Sequence, residues 1–229
     1  MAASDSPGPG TFSEAVQDYL KAIYALHERT GEPVATGTLA EQLNVSPGSA
    51  SAMTKRLDEL GLARHERYRG VELTEEGERV ALEVVRHHRL LERFLTDELD
   101  VPWDRVHDEA EVLEHVLSEE LEQRIADKLG HPVYDPHGDP IPSRDGVVEA
   151  QETRVLANLE PGDCGTFVRV SDSKPEMLRY LADHGLAPGI ELQLVRREPF
   201  GGPLTVRVGD RELALGDELA QVMSVALFS

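Results

Sequence analysis

Two runs of this sequence place imidazoles and carboxylates at helical spacing. They are His88-Arg89-Leu90-Leu91-Glu92 and His107-Asp108-Glu109-Ala110-Glu111-Val112-Leu113-Glu114-His115. A helix advances about 100° per residue, so side chains four apart lie one above the other, and His88 and Glu92 share a face. With His107 as zero, Glu111 falls near 40°, Glu114 near −20° and His115 near 80°, one stripe of four metal-capable groups. Beside it runs an apolar stripe of Val106, Ala110, Leu113, Leu117, Leu121 and Ile125, which predicts one helix continuing to Leu129 with Gly130 as its stop. A charged helix face is usually only solvated. Two His-Glu pairs and a Glu-His dipeptide one turn on make a fuller set, two or three imidazoles and three carboxylates, which suits a first-row divalent ion.

These elements sit in a chain of 229 residues with net charge −20, 40% hydrophobic and 5% aromatic. That length favours one large or two small domains with a core of Leu, Val and Ala. A single cysteine, Cys164, excludes an internal disulfide and fits a reducing compartment. With no signal peptide and no run of eighteen apolar residues, the expectation is a soluble, cytoplasmic protein without a membrane partner. The acidic balance excludes broad nucleic-acid affinity, so any DNA contact must come from a local basic patch.

Residues 1–11 are rich in Ser, Pro and Gly and read as a disordered tail. Ser13 caps a first helix marked by Val16, Leu20, Ile23 and Tyr24. Thr38 is expected to cap a short helix, Asn44-Val45 to turn, and Ser46 to cap a second helix with Pro47 at its first position and Gly61 at its stop. Two short helices joined by a turn form a helix-turn-helix. Arg64 to Leu73 then reads as a hairpin with a basic tip, a wing. Between Ser46 and Val71 five bases face three acids, a local excess of two positive charges. A helical hairpin for protein contact would share the pattern, but the small Ser46-Pro47-Gly48-Ser49-Ala50-Ser51 start permits close approach to base edges. The DNA-facing set is Thr36, Thr38, Ser46, Pro47, Ser49 and Ser51, with Lys55, Arg56, Arg67 and Arg69 on phosphates.

A long helix follows from Thr74 to about Leu99. Pro132 to Gly146 reads as a Pro-stiffened linker. From Thr153 the period changes to two, with strands at 166–170, 191–196, 204–208, 212–215 and 222–227 and one helix at 174–181, read as a small β-barrel. The class is α+β: winged helix-turn-helix at 12–74, helical metal-binding and dimerisation domain at 75–131, linker at 132–152, barrel at 153–229.

This arrangement resembles the diphtheria toxin repressor family of metal-dependent transcriptional repressors. The likeness is densest at Asp18-Tyr19-Leu20-Lys21-Ala22-Ile23-Tyr24, at the two His-Glu runs, and at His137-Gly138-Asp139-Pro140-Ile141-Pro142. The C-terminal part looks like a FeoA domain, through Leu181-Ala182-Asp183-His184-Gly185-Leu186. The resemblance implies a primary metal site at Asp18, Glu111, Glu114 and His115. It implies an ancillary site at His88, Glu92 and His107, helped by Asp172 from the barrel. It implies a homodimer on a palindromic operator in double-stranded DNA, and two metal sites per chain. Leu91, Phe94, Leu95 and Trp103 are candidate dimer anchors.

Iron-type members carry Met and Cys where this chain has Asp18 and Glu111, and manganese-type members carry Asp and Glu. Carboxylates in place of sulfur harden the site, so Mn(II) is the expected corepressor, with Fe(II) the alternative. Short manganese-type regulators place a second Glu where this chain has Lys21, which cannot ligate while protonated. A metallohydrolase would need an open coordination position, a general base and a substrate pocket, and would leave the DNA-reading head without a role. A metal-independent winged-helix regulator would leave the His/Glu runs without one.

Overall fold

The structure, a computed structural model, describes residues 12–66, 69–149 and 151–228. The tail at 1–11 and Arg67, at the tip of the expected wing, lie outside the described residues. The chain divides into two compact units: Met1–His88, Glu111–Arg124 and Pro142–Val147 in the first, and Arg89–Ala110, Ile125–Ile141 and Val148–Ser229 in the second.

The first unit opens with α1 (Glu14–Thr30), closed by Gly31 at a φ of 68°. Its Val16, Leu20 and Ile23 pack with Leu39, Ala50, Leu57, Leu62 and Val71 in one core. The helix α2 (Thr36–Gln42) starts two residues before the expected cap: Ala35 is the N-cap, and Thr36 and Thr38 both lie inside the helix. In α3 (Pro47–Glu59) the Ser46 side chain does cap, accepting from Ser49 N at 3.0 Å. Ala50, Thr54 and Leu57 are buried, while Ser46, Pro47, Ser49, Ser51, Lys55 and Arg56 are exposed. Strands β1 (Ala63–Glu66) and β2 (Gly70–Leu73) pair antiparallel. Thr74 Oγ1 then donates to Gly61 O and accepts from Gly77 N, which starts α4 (Glu75–Leu99). Gly77 has no substitute here: an added Cβ would lie 1.8 Å from Leu62 O.

The single helix expected from His107 to Leu129 is two helices, α5 (Val106–Leu113) and α6 (Glu119–Lys128). Glu114, His115 and Val116 form the turn between them. Ser118 is the reason: its Oγ accepts from Leu121 N and its carbonyl from Glu122 N, a local cap followed by Glu119, Glu120 and Glu122 in the first turn. The stripe angles expected for Glu114 and His115 therefore do not apply.

The second unit is built on a six-stranded sheet of β3 (Arg154–Val155), β4 (Cys164–Val170), β5 (Glu191–Arg197), β6 (Leu204–Val208), β7 (Arg211–Leu215) and β8 (Met223–Leu227). The order is β3-β8-β4-β5-β6-β7, all antiparallel. This corrects the barrel. The chain leaves β7 through the short α8 (Asp217–Ala220), and β8 inserts between β3 and β4 instead of pairing with β7. Edges therefore remain at β7 and at the two-residue β3. α7 (Pro175–Asp183) buries Leu178 and Leu181 in a core with Phe167, Leu192, Leu194 and Val225.

The loop after Pro132 is tied down. Asp135 Oδ1 accepts from the backbone N–H of His137 and of Asp139, Val170 N donates to His137 O, and Ile141 is buried. Gly138, at a φ of 89°, passes so close to β4 that a Cβ would meet Val168 O at 1.8 Å. Leu91 and Leu95 are buried within the chain, and Trp103 packs against the C-terminal core, so these three are not free anchors. Exposed apolar side chains of the first unit instead include Val112, Leu113, Val116 and Leu121, close together in the chain, besides Leu60 and Val147. No helix among the described residues is long and apolar enough to cross a membrane.

Candidate metal centre

In the first unit, α1 carries Gln17, Asp18 and Lys21 on one face, and the end of α5 with its following turn carries Glu111, Glu114 and His115. His115 Nε2 lies 3.0 Å from Asp18 Oδ1 and 3.7 Å from Glu114 Oε1. Gln17 Oε1 can only accept, so His115 Nδ1–H donates to it at 2.6 Å, which turns Nε2 toward the carboxylates. His88 Nδ1 is 2.5 Å from Glu114 Oε2 and 3.8 Å from Glu111 Oε1, so His88 joins this set. Burial pushes the Asp18 carboxyl up, against the charges of His115 and Lys21. Burial also pushes Glu114 upward, but its bond to His88 and the charge of Lys21 outweigh that and hold it below the ordinary value.

Lys21 is the residue whose place here was not expected. Its Nζ donates to Glu111 Oε1 at 2.5 Å and to Glu114 Oε1 at 2.6 Å. The ammonium thus sits on the carboxylates a divalent ion would use. Its spacing from Asp18, one helical turn, was visible in the sequence, but the carboxylates it meets are about ninety residues away.

The second unit gathers Glu92, His107, His137 and Asp172. His107 Nδ1 lies 3.3 Å from Glu92 Oε1 and 3.2 Å from Asp172 Oδ2. Asp172 lies two residues after the end of β4. His137, read as part of a linker, is the residue that sequence reasoning missed as a donor. Its Nε2 donates to Trp103 O at 2.8 Å and its ring stacks on the Trp103 ring. Its Nδ1 is buried without a hydrogen-bond partner, 3.6 Å from Glu92 Oε2. The signal was a histidine inside Asp-Pro-His-Gly-Asp-Pro, hidden by the loop composition around it.

Both sets fit a divalent cation. They offer only oxygen and nitrogen donors, and His115 and His137 each have one ring nitrogen committed to an acceptor and the other turned to carboxylates. Among other described groups, Glu83, His87 and Glu119 also cluster.

Without an ion His107 and His137 hold protons. His107 is pushed up to about 10 by its bonds to Asp172 and Glu92. Burial opposes the charge on His137, but Glu92 beside it pushes it up to about 9. Both folded values exceed the ordinary 6.5, so the stability they contribute is whole below pH 6.5 and lost as pH rises through about 9–10. An ion must displace these protons. Affinity at this set should rise between pH 7 and 9, with one to two protons released per ion, as titration calorimetry in buffers of different ionisation enthalpy would show. Uptake without proton release would contradict the protonation assigned here.

Three family models match the chain: the iron dependent repressor N-terminal DNA binding domain over residues 11–71, the iron dependent repressor metal binding and dimerisation domain over 74–143, and the FeoA domain over 154–227. The iron-dependent repressor IdeR of Mycobacterium tuberculosis (strain ATCC 25618 / H37Rv) is 33% identical over 232 residues, covering 93% of this chain and 96% of its own. Among solved structures, a manganese-dependent transcriptional repressor in complex with manganese is 44% identical with a TM-score of 0.87, covering 93% of this chain and all of that one. The manganese regulator SloR is 32% identical with a TM-score of 0.74, covering 93% and 98%. A helical DNA-binding head, a helical dimerisation domain and a FeoA sheet define a metal-dependent transcriptional repressor, which binds DNA and is not an enzyme. The chain belongs to the iron-dependent repressor family, also known from the diphtheria toxin repressor.

Proposed function

We propose that this protein is a manganese-responsive repressor in which Mn(II), held at two sites per chain, licenses a homodimer to bind a palindromic operator. The observation that carries the reading is the donor set of the first unit. Asp18, Glu111, Glu114, His115 and His88 supply carboxylates and imidazoles with no sulfur, the donor type a hard ion such as Mn(II) accepts. The second set is Glu92, His107, His137 and Asp172. Bound there, the ion supplies positive charge and fixed coordination directions. The chain's own residues do the rest. Asp18 lies on α1, whose Val16, Leu20 and Ile23 share a core with α3, so anything that fixes Asp18 against Glu111 and Glu114 fixes the DNA-reading head. Free of an ion, Asp18, Glu111 and Glu114 repel one another, and Lys21, with His88 and His115 beside them, offsets that repulsion.

The head acts as a winged helix-turn-helix. The exposed Ser46, Pro47, Ser49 and Ser51 approach base edges, with Thr36 and Thr38 beside them, and Lys55, Arg56, Arg67 and Arg69 hold phosphates. Arg56→Ala should weaken all sequences alike and reduce the salt slope by about one unit. A change in sequence preference at an unchanged slope would contradict the assignment. The exposed Val112, Leu113 and Val116 form the proposed dimer contact.

Fe(II) is the second reading, because the mycobacterial relative at 33% identity is named an iron-dependent repressor. Anaerobic gel shifts decide. Binding should vanish with chelator and return at lower free Mn(II) than free Fe(II). Return at lower Fe(II) would make iron the corepressor, and chelator-resistant binding would end the metal-gated reading.

A further inference from the structure

A third group of donors lies in the first unit, apart from the ligands named above. Glu83 and His87 stand four residues apart on α4, and Glu119 is the first residue of α6. One imidazole nitrogen of His87 and one carboxylate oxygen from each glutamate all lie within 4.8 Å of one another.

The tautomer of His87 says what the group is for. His87 is only 2% exposed, and its Nδ1 faces the backbone carbonyl of Glu114 at 3.3 Å. A carbonyl can only accept, so the proton is on Nδ1 and Nε2 keeps its lone pair. That nitrogen is buried and has no hydrogen-bond partner. An imidazole that gives one N–H to a carbonyl and turns a bare nitrogen toward carboxylates is arranged as metal-ligating histidines are.

The carboxylates agree. Arg79 Nη1 approaches Glu83 Oε2 at 3.5 Å, and Arg144 Nη2 approaches Glu119 Oε2 at 3.0 Å. Each glutamate thus has an arginine at Oε2, and each brings one carboxylate oxygen into the cluster. Glu122, the third acid nearby, is held by Arg86 at 2.7 Å. Glu83 and Glu119 are close enough to share a hydrogen bond, which needs a proton between them, and burial with that contact pushes Glu83 up to about 8. A divalent ion would take the place of that proton.

We infer that Glu83, His87 and Glu119 form a third divalent-cation site, taking a first-row ion through His87 Nε2 and one oxygen of each glutamate. Three protein ligands beside two arginines make it weaker than the two proposed centres. Its effect is on Glu114, which lies in the turn before α6. With Nε2 ligated, the Nδ1–H donates more strongly to the Glu114 carbonyl and holds that residue's backbone still. The site therefore reports a second, higher range of ion concentration.

The test is Mn²⁺ uptake by the full-length protein at pH 7.5, by equilibrium dialysis and titration calorimetry, compared with Glu83→Gln/Glu119→Gln. The wild type should take up one more ion per chain, in a weaker step that the double variant loses or weakens at least tenfold, while the tighter steps keep their affinities. Asp18→Ala, which lowers the first centre, should leave the weak step in place, separating this site from the sets above. Equal stoichiometry and equal weak-step affinity in wild type and double variant would overturn the inference. So would loss of the weak step in Asp18→Ala alone. Because Glu119 is exposed, Glu119→Gln by itself gives the same comparison if the double variant does not fold.

Discussion

Replacing Lys21 by Met should tighten Mn²⁺ binding at the first proposed centre by roughly 10–100-fold while making the metal-free protein less stable. The ammonium lies 2.5 and 2.6 Å from the oxygens of Glu111 and Glu114. A unit charge within about 5 Å of a divalent ion costs on the order of 1.4–2.8 kcal/mol even where the effective dielectric is high, which gives that range at 1.4 kcal/mol per tenfold. The same charge stabilises the empty site. Breaking a fully buried pair costs roughly 3–5 kcal/mol, and about 2 kcal/mol is expected here because Glu111 is 38% exposed. For a chain of this length that lowers the midpoint of thermal unfolding by about 4–8 °C without metal, and the deficit should close when Mn²⁺ is added. Lys21→Arg keeps the charge and should behave as wild type in both respects. Unchanged or weaker Mn²⁺ affinity in Lys21→Met would show that Lys21 does not compete for the carboxylates. By this account Lys21 is a tethered counter-ion. On the proposed reading it would set the free Mn²⁺ level at which the site fills.

Glu114→Gln should abolish metal-dependent operator binding. Glu114 is the one carboxylate of the first set whose side chain is fully buried, and it contacts His88, Lys21 and His115. The amide keeps the shape and removes the charge, so Mn²⁺ affinity should fall by 100-fold or more, about 2.7 kcal/mol. The pH dependence has a defined sign. Glu114 is held below its ordinary 4.5, so it contributes stability above that pH and loses it as pH falls through the lower folded value. The glutamine variant should therefore be less stable at pH 7 and lose less stability on acidification. Isotherms with Mn²⁺ and thermal unfolding between pH 3 and 7 measure both effects. Operator binding that still responds to Mn²⁺ with wild-type affinity would remove Glu114 from the centre.

The sequence by itself determined most of the local structure and the kind of chemistry. Apolar spacing marked α1, α3 and α4, and Ser46 with Pro47 marked the start of α3. The two-residue period marked β4 to β8 within one or two residues. Donor types were also legible, because hard oxygen and nitrogen ligands follow from residue identity alone. These features depend on interactions within a few residues, where side-chain direction and capping are set by the chain itself. The break at Ser118 was legible too, as a serine followed by acids, but the apolar stripe running through it read as one continuous helix.

Only the tertiary structure decided who meets whom. Lys21 reaches Glu111 and Glu114 from some ninety residues away. His137 becomes a donor because Gly138 lets its loop lie against β4 and Trp103 fixes its ring. His87 shows a bare Nε2 only because the Glu114 carbonyl takes its other proton. The sheet stays open because β8 inserts beside β4 and β3 instead of pairing with β7. Each of these rests on contacts between segments distant in the chain, and the energies of such contacts arise from burial and from charges brought together by folding. Neither periodicity nor composition carries that information.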